Sequence, residues 1–258
     1  MGYATSFDGT QLWFDTLGTV GTPILLIAGN GCDHDAWRIA LPELSHAHRV
    51  IYFDHRGTGR SDAAFPDEWS TRDFAREAVT ILDALGIQRA HVYGHSMGGR
   101  IAQWFAIDYP ERVGALILGA TSPGDRHGVA RTVEATVALS SGDPVSMQRL
   151  CFTESWIGAN PELARSGAPN PRDRRAFQMH LTASTEHDAW RALPTIVAPT
   201  LVIHGSDDTL TLPTNAERLI DRIPGSRLLM IEGARHIYWA GFPEAHQAVL
   251  QFVDQHPL

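Results

Sequence analysis

Ala90-His91-Val92-Tyr93-Gly94-His95-Ser96-Met97-Gly98-Gly99 is the stretch on which the reading of the chain turns. The apolar run Ala90 to Tyr93 predicts a buried strand. Gly94-His95-Ser96-Met97-Gly98 follows at once and matches G-x-S-x-G. Beyond it, Ile101, Ala102, Phe105 and Ala106 fall on one face of a helix. A strand, a sharp turn and a helix in that order hold a serine hydroxyl above the sheet edge. The adjoining helix N-terminus favours developing negative charge there. A glycine-rich turn of no catalytic meaning can carry the same five letters. The flanking strand and helix separate the two readings.

Outward from this stretch the pattern repeats. Strand-like runs appear at Tyr3 to Ser6, Gln11 to Leu17, Ile24 to Ala28, Val50 to Phe53, Ala115 to Gly119, Thr200 to His204 and Arg227 to Ile231. Between them, amphipathic helices are predicted at about Thr71 to Leu85, closed by Gly86, at Pro213 to Ile223 and at Pro243 to Val253. Buried strands alternating with amphipathic helices imply an α/β fold, a mostly parallel sheet covered on both faces. The rhythm stops between Thr121 and Leu193. Helical fragments take over there, at about Val129 to Leu139, Pro144 to Phe152 and Arg172 to Thr185. The expected division is a core of residues 1–120 and 194–258 with a small helical cap, 121–193, inserted after the sixth core strand.

The bulk of the sequence narrows the function. A net charge of −8 over 258 residues, with no basic cluster, argues against a nucleic-acid or anionic-membrane partner. No apolar run is long enough to span a bilayer. The first residues, Met1 to Ser6, lack the charged and apolar regions of a secretion signal. They fit a myristoylation pattern, but without a polybasic stretch beside it. Two distant cysteines, Cys32 and Cys151, suggest no disulfide framework, so a cytoplasmic location is expected. The oligomeric state is not written in the sequence.

A serine hydroxyl is a poor nucleophile at neutral pH and needs a base held by a carboxylate. Such groups gather beyond the carboxyl ends of the strands. Among thirteen histidines, His236 stands a few residues past the last strand and before the last helix. Asp207 and Asp208 follow the strand before it. Asp208 is the preferred acid, Asp207 the alternative and Asp125 a distant third. The order Ser96, Asp208, His236 suits this architecture. The oxyanion of acyl transfer needs two N–H donors. Met97, next to the nucleophile, is one candidate. Asn30, after the Ile24 to Ala28 strand, is the other. Cys32 lacks a placed base. No metal-ligand spacing and no phosphate-binding fingerprint appears, so no metal and no cofactor is expected.

Gly94-His95-Ser96-Met97-Gly98-Gly99, Asp54-His55-Arg56-Gly57-Thr58-Gly59-Arg60-Ser61, His204-Gly205-Ser206-Asp207-Asp208 and Gly233-Ala234-Arg235-His236 together resemble the α/β-hydrolase superfamily over nearly the whole chain. Two groups within it look similar. Ile101-Ala102-Gln103-Trp104, Tyr109 to Val113 and His187 to Pro194 resemble the 3-oxoadipate enol-lactonase type. The Gly-Asn character of the oxyanion loop and Tyr52 to Ser61 resemble the polyketide methyl-esterase type. Two departures are visible. The oxyanion loop of the superfamily usually opens His-Gly, whereas here it reads Ala28-Gly29, so its anchoring must differ. Pro213 stands one residue farther past Asp208 than is usual.

The resemblance implies a serine hydrolase acting on a small or medium carboxylic ester or lactone through an acyl-enzyme. The same triad serves carbon–carbon bond hydrolysis, acyl transfer and cofactor-free peroxidase chemistry. The fold also serves ligand-binding proteins with little turnover. Phe152, Trp156, Phe177 and Trp190, with Met147, are apolar enough to line a substrate pocket in the cap, or simply to pack it onto the core.

Overall fold

The computed structural model describes residues 1–141, 143–165 and 172–258. Eight strands form one sheet: β1 (Gly2–Thr5), β2 (Gln11–Leu17), β3 (Pro23–Ile27), β4 (Arg49–Phe53), β5 (Ala90–His95), β6 (Val113–Gly119), β7 (Thr200–Gly205) and β8 (Arg227–Ile231). Their order across the sheet is β1-β2-β4-β3-β5-β6-β7-β8. β1 and β2 pair antiparallel, as do β2 and β4, and every later pairing is parallel. The predicted α/β architecture is therefore the observed one. β5, β6 and β7 are buried at every residue, as expected of central strands covered on both faces.

The helices are α1 (Leu41–Ser45), α2 (Thr71–Ala84), α3 (Met97–Asp108), α4 (Val133–Ser141), α5 (Pro144–Cys151), α6 (Glu154–Ala159), α7 (Arg174–Thr185), α8 (Thr214–Arg222) and α9 (Pro243–Asp254). α2, α3 and α8 bury Phe74, Ile81, Ile101, Phe105 and Leu219 on one side of the sheet. α1 and α9 bury Leu44, Val249 and Phe252 on the other. α2 begins at a reciprocal cap: the Ser70 hydroxyl accepts from the Asp73 N–H, and the Asp73 carboxylate accepts from the Ser70 N–H.

Between β6 and β7 the chain leaves the sheet and forms α4 to α7. α7 contributes Ala176 and Ala183 to one core, and the segment after α5 contributes Phe152 to the other. The helix expected from Val129 starts four residues later, at Val133. Asn215 of α8 explains the delay. Its Oδ1 accepts the Val129 N–H at 2.7 Å and its Nδ2 donates to the Val129 carbonyl at 3.0 Å. Val129 is thus bonded across the structure instead of along a helix. No helix among the described residues is long and apolar enough to cross a membrane.

Candidate active site

Ser96 sits between β5 and α3 with φ 58° and ψ −121°. A positive φ in a residue bearing a side chain costs about 1–3 kcal/mol and persists only where neighbours enforce it. Here the end of β6 does so. The Ser96 N–H donates to the Gly119 carbonyl at 2.9 Å, and the Thr121 hydroxyl donates to the Ser96 carbonyl at 2.7 Å. The flanking glycines admit the helix. A Cβ at Gly98 would lie 1.9 Å from the Ile27 carbonyl oxygen, and one at Gly94 2.2 Å from that of Gly98.

Beyond β7 and β8 an acid and a base meet. His236 Nδ1 lies 2.8 Å from Asp208 Oδ2. The other carboxylate oxygen accepts the Leu210 and Thr211 N–H groups at 2.8 and 2.9 Å. His204 Nε2, 3.3 Å from Oδ2, completes the shell. Burial pushes the Asp208 carboxyl up. The pull of His236 and the bonds from His204 and His236 outweigh it, holding the acid well below the usual carboxylate range. A carboxylate at Nδ1 keeps the proton on that nitrogen and leaves Nε2 as the acceptor. Asp207 is exposed and takes a hydrogen bond from Ser206, while Asp125 is paired with Arg100.

His95, the neighbour of Ser96, ties the two halves together. Its Nε2 donates to the His236 carbonyl at 3.0 Å, and the two rings lie 4.8 Å apart. Burial against Trp239 and Trp37 keeps His95 neutral, its imidazole pushed down to about 3. Ser96 Oγ and His236 Nε2 make no hydrogen bond to protein among the described residues.

The Asn30 and Met97 N–H groups find no acceptor among the described residues, and both residues line the same cavity as Ser96. Gly29 brings the loop close: a Cβ there would lie 3.3 Å from Ser96 Cβ. The missing His-Gly opening is answered by two histidines from elsewhere. His55, after β4, donates from Nε2 to the Ala28 carbonyl at 3.1 Å. His180 of α7 accepts the Gly31 N–H at Nδ1 over 3.3 Å and donates from Nε2 to the Arg56 carbonyl at 2.7 Å. Burial lowers both imidazoles, His55 to about 3 and His180 to about 4, so both work as neutral rings. Sequence reasoning missed this pair. In a chain with thirteen histidines, no local signal separates a loop anchor from a surface side chain.

The cavity over Ser96 holds about 350 Å³, at the small end of ligand pockets. α4 and α7 form its far wall with Leu139, Phe177 and Leu181. Of the four aromatic side chains expected there, the structure places Phe177 on the wall. Phe152 and Trp156 stack on each other at 4.5 Å and belong to the core beneath α9. Trp190 stacks on His127 at 5.1 Å, away from the cavity. Cys32 and Cys151 form no disulfide. Burial pushes both thiols up, that of Cys32 to about 12, which leaves neither a ready nucleophile. Among the described residues no group of three or more histidine, cysteine or acidic side chains is disposed to hold a metal ion.

Residues 22–144 match a sequence family described as alpha/beta hydrolase fold. A protein of Azorhizobium caulinodans bearing the name "Putative carbamate hydrolase RutD" is 31% identical, over 97% of each chain. A hydrolase from Pseudomonas aeruginosa PA01 superposes with a TM-score of 0.82 at 28% identity, over 97% of each chain. The enol-lactonase from Burkholderia xenovorans LB400 superposes with a TM-score of 0.81 over 97% of this chain and 98% of its own. At 24% identity, that last likeness is one of fold.

Proposed function

The chain is an enzyme of the α/β-hydrolase family, and from that premise we propose that it cleaves a small carboxylic ester or lactone through Ser96, His236 and Asp208. The observation that carries the proposal is the 2.8 Å bond between His236 and Asp208, on the same sheet edge as the strained Ser96. Ser96 Oγ attacks the carbonyl carbon and its proton passes to His236 Nε2. The N–H groups of Asn30 and Met97 receive the negative oxygen. Collapse breaks the bond to the leaving oxygen, which takes the proton from His236. Water then attacks the acyl carbon and gives a proton to His236. The acid departs and Ser96 regains its hydrogen. Asp208 stabilises the imidazolium in both halves without taking up a proton. Catalytic hydrogen bonds often close only around substrate, which accommodates a Ser96 hydroxyl that is unbonded beforehand.

A carbamate is the second reading. Its carbonyl takes the same steps. The name of the Azorhizobium relative favours it, and so does Asn30 Oδ1, buried without a partner among the described residues and able to accept a carbamate N–H. In either reading residues 121–193 act as the cap that selects substrate. The protonated thiols of Cys32 and Cys151 suit a reducing cytoplasm.

The test is a fluorophosphonate, applied to the wild type and to Ser96→Ala, read by intact mass. One adduct on the wild type alone is expected. A panel of esters, lactones and carbamates then ranks the substrates. A folded wild type that takes no adduct, or a variant that takes one equally, overturns the proposal.

A further inference from the structure

Two arginines line the cavity over Ser96, Arg100 and Arg131, and no carboxylate among the described residues lines it with them. That is unexpected in a protein of net charge −8. The two are differently employed. Arg100 is fully engaged: it pairs with Asp125 at 2.7 Å, donates to the Ser122 hydroxyl at 2.8 Å and holds the Ser184 carbonyl. Arg131 has no ion-pair or hydrogen-bond partner among the described residues. It also lines an adjoining cavity of about 240 Å³, whose acid, Asp125, is spent on Arg100. Its guanidinium is half-buried and faces a like charge in Arg100. A partly desolvated cation without a partner is costly, and a like charge nearby adds to the cost. An anion bound between nucleophile and cap removes both penalties.

We propose that Arg131 is the anion-reading residue of this site, and that the substrate carries a carboxylate besides the bond that is cleaved. The inference rests on the serine-hydrolase reading above and adds the substrate class to it. A guanidinium meets a carboxylate with two parallel N–H bonds, a match of geometry as well as charge. One uncommitted arginine suits a singly charged planar group. The Ser122 hydroxyl, which lines both cavities and accepts from Arg100 and the Gly124 N–H, has its own hydrogen to donate to such a group. The modest cavity volume keeps that carboxylate within a few bonds of the reacting carbonyl.

The experiment compares matched esters that differ in one charge. With the carboxylate on the acyl side, the pair is 4-nitrophenyl hydrogen glutarate and 4-nitrophenyl pentanoate. With it on the leaving group, the pair is 4-acetoxybenzoate and its methyl ester. In the wild type, kcat/KM favours the charged member of at least one pair by about tenfold or more, the worth of a charge-assisted hydrogen bond. Arg131→Gln abolishes that ratio, chiefly through KM, and Arg131→Lys restores part of it. Melting temperatures of both variants check that they fold. Calorimetric binding of glutarate, which needs no turnover, weakens by about tenfold in Arg131→Gln. A wild type indifferent to charge in both pairs overturns the proposal. So does a preference that survives Arg131→Gln, or glutarate binding that is absent or unaltered. Fluorophosphonate labelling with no charge preference would fail this inference alone. Glutarate binding without labelling would fail the hydrolase reading and keep the anion site.

Discussion

His180 Nδ1 accepts the Gly31 N–H at 3.3 Å, so a helix inserted between β6 and β7 holds the loop that carries Asn30. The ring is committed at both ends, since its Nε2–H goes to the Arg56 carbonyl at 2.7 Å. Only the neutral ring with its proton on Nε2 satisfies both bonds. Burial, which lowers its pKa to about 4, keeps it in that form. His180 touches no reacting atom and is a positioning residue.

Replacing His180 with Phe keeps a buried ring but removes the acceptor. We expect kcat to fall by about tenfold with KM little changed, because the Asn30 donor is misplaced where charge develops. Gln can both accept from Gly31 and donate to Arg56, so His180→Gln should recover most of the rate. Equal losses in the two variants, or a loss wholly in KM, would show that the ring serves packing alone.

Asp208→Asn should lower kcat by about 10³–10⁴-fold, since an amide at Nδ1 favours the wrong tautomer of His236. Asp207→Asn, at an exposed side chain, should stay within about twofold. Steady-state rates on one activated ester decide the matter. Comparable losses would move the acid role to Asp207 or share it.

Much of the molecule was legible because its signals are local. The serine turn announces itself in ten residues, and strands buried on both faces read as apolar runs such as Ala115 to Gly119. The roles of His180 and His55 were not legible. Each depends on a partner distant in sequence, Gly31 and Ala28 respectively, and periodicity carries no such information. Aromatic side chains failed for another reason. Phe152 and Phe177 look alike in sequence, yet one is buried against Trp156 and the other faces the cavity. Packing and lining make the same chemical demand, so only the fold divides them.

Stability should fall steeply in mild acid. Burial depresses His55 and His95 to about 3 and His180 to about 4, from an ordinary 6.5. Below pH 6.5 the unfolded chain takes up these protons and the folded chain does not. The stability they contribute is present above 6.5 and lost as pH falls toward 4. Each costs about 1.4 kcal/mol per pH unit inside that window. Glu77, raised by burial from 4.5 to about 7, acts in the opposite sense, but it is outnumbered, since burial also lowers His91, to about 4, and His187 and His246. Melting temperatures at pH 8, 7, 6 and 5 should drop progressively below 6.5. A flat profile would mean that these imidazoles titrate normally in the folded protein.

Phe177→Ala enlarges the cavity and should shift the preferred acyl or leaving-group size upward with little cost in stability. Trp156→Ala should do the reverse. It should leave the substrate ranking unchanged and cost about 2 kcal/mol, less than a fully buried tryptophan because the ring is half-buried. A substrate panel and a thermal melt on each variant separate the two roles. A changed ranking in Trp156→Ala would bring that ring back to the pocket.

α7 presents two faces three to four residues apart in register. Ala176, His180 and Ala183 are buried, while Phe177, Leu181, Ser184 and Thr185 line the cavity. The consequence is evolutionary. Substitutions along the cavity face change what is admitted and leave the oxyanion loop's support untouched. Substitutions on the buried face disturb catalysis for every substrate at once. Arg100 restricts the first face only at Ser184, where it donates to the backbone carbonyl, which any residue supplies, and to the hydroxyl at 3.3 Å. Substrate range is therefore open to single-step change along one stripe of a helix, while the adjoining stripe is constrained by the loop it holds.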